Sequence, residues 1–147
     1  MANSIAIGVA YKDQEIVGGT IDNTVIGGVT KAAGSFTTVT STGGFVMPSA
    51  TVAAAGSTQA NATQIATGFT LVSGADATKG ILLPVAAAGA TCVIKNNAAA
   101  VLKVWPSSGD AVNAIAADSN YVLASLTSTL LVAYDNVTWY SVPLLAS

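Results

Sequence analysis

Val101-Leu102-Lys103-Val104-Trp105, closed by Pro106-Ser107-Ser108-Gly109-Asp110, decides the fold class of this 147-residue chain. Leu102 and Val104 fall on one side of an extended backbone and Lys103 on the other, the period-two pattern of a half-buried strand. The Pro-Ser-Ser-Gly-Asp run that follows supplies the backbone geometry of a turn. The same pattern recurs in Val137-Thr138-Trp139-Tyr140-Ser141-Val142, with Val137, Trp139 and Ser141 on one face. Asp135-Asn136 precedes it and is a tight-hairpin signal.

Working outward, strand formers predict further strands near 64–72, 80–83, 90–95, 121–126 and 129–134. Turn residues separate them at 73–76, 88–89, 96–97, 117–120 and 135–136. Helical periodicity is weak, although the Ala-rich piece Ser49–Gly56 is compatible with a helical turn between Pro48 and Gly56. Residues 64–147 therefore read as a β-domain, and short strands at this spacing predict an all-β fold: an antiparallel β-sandwich or a jelly-roll-like barrel. Residues 49–63 have no apolar pattern and read as a linker. Residues 1–48 carry glycine pairs at 18–19, 27–28 and 43–44 and read as an extended N-terminal arm or small β-region. Such an arm can add a strand to an exposed sheet edge of another chain.

Only 8% of the residues are charged, against roughly 25% in ordinary soluble domains. A surface rich in Ala, Val and Thr and poor in charge tends to self-associate, as an assembly subunit must. The chain has no His and no Arg. Imidazole acid–base chemistry and the bidentate clamp for phosphate or guanine are therefore missing. The net charge of −2 repels nucleic acid. No apolar stretch predicts a membrane helix, because Pro84 and Gly89 cut the run from Gly80 to Ile94. The start of the chain lacks the basic and apolar regions of a signal peptide, so cytoplasmic synthesis is expected.

No enzymatic motif is evident. Thr78-Lys79-Gly80 lacks the glycine spacing of a phosphate loop. Cys92, the single cysteine, lies in the apolar run Thr91-Cys92-Val93-Ile94 and reads as a buried inert thiol. The seven carboxylates sit mostly at predicted turns, and Asp110 and Asp118 lack the spacing of a calcium loop. No catalytic residue, metal or cofactor is expected. The aromatic residues of the C-terminal half are read as core or interface packing, with stacking on sugars as the alternative.

Two stretches resemble a known class of proteins. Thr20-Ile21-Asp22-Asn23-Thr24-Val25-Ile26-Gly27, followed by Ala32-Ala33-Gly34-Ser35-Phe36-Thr37-Thr38-Val39-Thr40, resembles a segment recurrent in tail fibres and other virion proteins of tailed bacteriophages. Val25 and Lys31 stand where proline is frequent in those proteins, which leaves the chain path less constrained. The region from Gly80-Ile81-Leu82-Leu83-Pro84 through Val93-Ile94-Lys95-Asn96 and Val101–Asp110 to Trp139-Tyr140 resembles a β-domain of small phage structural proteins.

The resemblance implies a virion component, usually trimeric. The modest length favours a head decoration (cement) protein on the capsid surface, with the major capsid protein as partner. A short tail-fibre or fibre-adaptor subunit, with or without glycan binding, is the alternative. A glycan-active or lectin-like module is a third reading. Residues expected to make contacts are Ile5, Ile7, Val9 and Tyr11 in the arm and Trp105, Trp139 and Tyr140 in the β-domain.

Overall fold

The computed structural model describes residue 34 and residues 38–142. The chain divides into two units, Met1–Thr42 and Gly43–Ser147. Of the first, the described residues are 34 and 38–42, all of them exposed. Ile5, Ile7, Val9 and Tyr11 lie outside the described residues.

Among the described residues the second unit holds ten strands: β1 (Ser49–Ala53), β2 (Thr63–Gln64), β3 (Gly68–Ser73), β4 (Gly80–Leu82), β5 (Thr91–Asn96), β6 (Leu102–Trp105), β7 (Ala111–Val112), β8 (Tyr121–Leu123), β9 (Ser128–Ala133) and β10 (Thr138–Val142). A 3-10 turn occupies Gln59–Asn61. The fold is all-β, as the alternating patterns predict. Sheet A has the order β1-β3-β5-β9-β10-β7 and sheet B the order β2-β4-β6-β8.

The expected antiparallel sandwich or jelly roll gives way to a β-solenoid. The first six strands alternate between the sheets, and each of β1 to β4 pairs in parallel with the second strand after it. Ser49 pairs with Phe69, and Phe69 with Val93, so each circuit of about twenty residues lays one coil on the last. Stacking stops after β6. There β8 runs antiparallel to β6 and β9 antiparallel to β5, with β10 and β7 completing sheet A. Alternation along a strand is the same whichever way its neighbour runs, so the sequence pattern holds no record of this parallel pairing.

The 49–63 stretch is not a linker. It carries β1, the 3-10 turn and the first residue of β2. Ser49–Ala53 is extended because β3 offers it a hydrogen-bonding partner, which outweighs the helix preference of alanine. The predicted 64–72 strand is two strands, broken where the chain crosses from sheet B to sheet A. Gly68 makes the corner with φ +107°, and a Cβ there would lie 2.4 Å from the Pro48 carbonyl oxygen. Gly80 admits the next coil, since its Cβ would lie 2.7 Å from the Lys103 carbonyl oxygen.

One core fills the space between the sheets. Val72, Cys92, Ile94, Leu131 and Trp139 from sheet A meet Ile81, Leu102, Val104 and Leu123 from sheet B. Each fully buried Leu or Ile contributes about 1.5–3 kcal/mol. Leu102 and Val104 are buried while Lys103 faces outward, as the opening alternation requires. The core also encloses Asn96, which closes the end of β5. Its Nδ2 donates to the carbonyls of Ala100 (2.9 Å) and Ala124 (3.0 Å), and its Oδ1 accepts from the Ala98 N–H (3.1 Å).

Candidate interaction surface

The outward side of sheet A is built from strand residues that alternate with the buried set. In register across four strands lie Phe69, Val93, Leu130 and Val142. Beside that row run Thr51, Leu71, Lys95 and Ser128 on one flank. Thr91, Val132 and Tyr140 run on the other. Phe69 is 37% exposed, Val142 43% and Tyr140 48%, so the row reaches solvent at both ends. Tyr134 packs edge-on against Tyr140, with centroids 5.9 Å apart and planes at 84°.

Lys95 is the one charged residue in the five long strands of this sheet. Its ammonium donates to the Leu126 carbonyl, which draws the charge to the rim. The result is a broad apolar surface with almost no field. Next to β1 the surface steps down. Ser49 and Thr51 are small, Phe69 and Leu71 opposite them are large, and a shallow groove of about 220 Å³ lies between.

The three aromatic residues expected to make contacts are not brought together. Tyr140 lies on the outward side of sheet A. Trp139, its neighbour in sequence, is fully buried and is a core residue. Trp105 lies on the outer side of sheet B, half-buried and leaning over Gly80. Neither Trp105 nor Trp139 finds a hydrogen-bond acceptor for its indole N–H among the described residues. The continuous row from Phe69 to Val142 was missed in the sequence, because its residues come from four separate strands, with Phe69, Val93 and Leu130 far apart along the chain.

The described carboxylates are taken up by their own loops or by close neighbours. Asp76 accepts from the hydroxyl and N–H of Thr78 and from the Lys79 N–H, and pairs with the Lys79 ammonium at 3.0 Å. Those contacts, the Thr78 hydroxyl foremost, hold it well below the usual carboxylate range. Asp135 accepts from the N–H groups of Val137 and Thr138 at the β9–β10 turn, and the first of these lowers its pKa most. Asp118 accepts from Gln59 Nε2 (3.0 Å) and the Gly109 N–H (2.8 Å), both of which lower it. Gln59 Nε2 also donates to the Pro106 carbonyl, so the 3-10 turn ties down the loop after β6. Buried Asp110 accepts from the Ala86 N–H at 2.8 Å.

Among the described residues no group of three or more His, Cys, Asp or Glu gathers to hold a metal. Burial raises the Cys92 thiol to about 11, so it stays protonated at neutral pH. No helix among the described residues is long and apolar enough to cross a membrane. Comparison of the chain with family models, curated proteins and solved structures gave no match.

Proposed function

We propose that this chain is a structural component of a tailed-bacteriophage particle, a decoration (cement) protein that binds the outer surface of the assembled head as a trimer. The observation that carries this reading is the outward side of sheet A, apolar from Phe69 to Val142 and almost free of charge. Three copies joined through such faces bury them without stranding ionised groups. The resemblance of Thr20–Thr40 and Gly80–Tyr140 to virion proteins supplies the particle.

Cement works by mass action. A subunit that binds the assembled lattice, and not its parts, stabilises the lattice by its binding free energy. Three-fold attachment multiplies weak single contacts to the major capsid protein. The reading includes no catalytic step and no cofactor. It places the protein on the virion surface after synthesis in the host cytoplasm.

The solenoid favours a second reading. Coils stacked along one axis suit a short fibre or fibre-adaptor subunit, which extends a shaft. Copy number separates the two. In purified particles, quantitative mass spectrometry should find this chain within a few-fold of the major shell protein if it decorates the lattice. A ratio far below that overturns decoration and moves the chain to the tail.

A further inference from the structure

We propose that the free edge of β1 is a strand-addition site, and that its occupant is the Ile5–Tyr11 segment of a neighbouring copy. The inference rests on the reading of this chain as an assembly subunit and specifies one contact within that assembly.

β1 is the edge of sheet A at the start of the coil stack, and among the described residues no strand pairs with its outer flank. Pro48 offers its carbonyl to the Phe69 N–H, and the Ala54 N–H bonds the Ser73 carbonyl. Even-numbered residues therefore face β3, and Ser49 and Thr51 point their N–H and C=O groups outward. The next outward carbonyl, that of Ala53, already accepts the Thr63 hydroxyl. Soluble proteins blunt such edges with Lys, Pro or a bulge. Ser-Ala-Thr-Val-Ala has no Lys and no internal Pro, and its pairing with β3 is unbroken over five residues.

The groove says what fits. An added strand lies beside Ser49 and Thr51, and bulky side chains on its outward face can lean over these small residues towards Phe69 and Leu71. The opposite face of that strand passes Ala50, which is small and exposed, and small side chains there pass it without crowding. Ile5-Ala6-Ile7-Gly8-Val9-Ala10-Tyr11 has that pattern: Ile5, Ile7, Val9 and Tyr11 alternate with Ala, Gly and Ala, and no residue is charged. Thirty-six residues separate Tyr11 from Pro48. At about 3.3 Å per extended residue this tether is long enough to reach an adjacent subunit.

The test uses full-length chains. Two versions of different mass, one with Ile7→Cys and the other with Thr51→Cys, are mixed, allowed to exchange and oxidised; Val9→Cys repeats the experiment one side-chain repeat further along. A disulfide joining the two versions is expected. Sedimentation of the unmodified chain is measured alongside. Thr51→Pro, which removes only an outward N–H, and Ile7→Lys should each shift the distribution to lighter species while the circular dichroism stays β. An unmodified oligomer with no cross-link from either cysteine pair overturns strand addition and leaves the assembly reading standing. A bridge found only within one chain, when Ile7→Cys and Thr51→Cys are combined, overturns the neighbour as donor. A chain that sediments as a monomer at every concentration overturns both readings.

Discussion

The side-chain amide of Asn96 donates to the Ala124 carbonyl at 3.0 Å, joining the end of β5 in sheet A to the loop that follows β8 in sheet B. It bonds the Ala100 carbonyl as well, and its oxygen takes the Ala98 N–H. One buried amide therefore satisfies three backbone groups at a corner where no strand can reach them.

Asn96→Ala should destabilise the fold by about 3 kcal/mol, because the amide leaves and its backbone partners stay buried. Asn96→Asp should be worse at neutral pH, since a carboxylate cannot donate to carbonyls. A carboxylate at this site would have its pKa raised by burial, so its protonated form is the better tolerated and the deficit should shrink as pH falls towards 4. Urea unfolding of both variants at pH 4 and pH 7 checks this. Equal midpoints for parent and Asn96→Ala would remove the corner's role.

Leu130→Lys places a charge in the middle of the row on sheet A, where Val93 and Val142 flank it in register. If this face joins subunits, sedimentation should show dissociation. The melting temperature of the dissociated subunit should remain within a few degrees of the parent's, since the lysine can extend into solvent. An intact oligomer carrying this substitution would place the interface elsewhere.

Trp139 and Tyr140 are adjacent and should respond in opposite ways. Trp139→Ala empties a fully buried site and should lower stability by about 3–5 kcal/mol. Tyr140→Ala removes an exposed ring that packs on Tyr134 and should change subunit stability by less than about 1 kcal/mol. Chemical denaturation measures both. A glycan array run on Tyr140→Ala also tests the sugar-stacking alternative: loss of a glycan signal with unchanged melting would favour it.

Asp76, Asp118 and Asp135 all ionise more readily in the fold than the ordinary value of 3.8. A carboxylate with a lowered folded pKa stabilises while ionised. Its contribution is fully present above the unfolded value and is lost as pH falls through the folded one. The melting temperature should therefore decline below about pH 4. With no His in the chain, side-chain titration should leave it nearly level between pH 5 and 8. Thermal melts from pH 2 to pH 8 check this, and a decline that begins near pH 6 contradicts it.

Strand character was legible in the sequence because it is local. Alternation in Val101–Trp105 and Val137–Val142 follows from the two-residue period of extended backbone, and the loops after β6 and β9 are spelled in Pro, Ser, Gly, Asp and Asn. The inert Cys92 was legible too, from its apolar neighbours. Tertiary structure alone decided that β1, β3 and β5 stack in parallel, that the Ala-rich 49–53 stretch is a strand, and that Phe69, Val93, Leu130 and Val142 form one row. Each of these depends on which distant strand lies alongside. That choice is made by burying one shared core between two sheets, a free energy summed over the whole chain that no single segment contains.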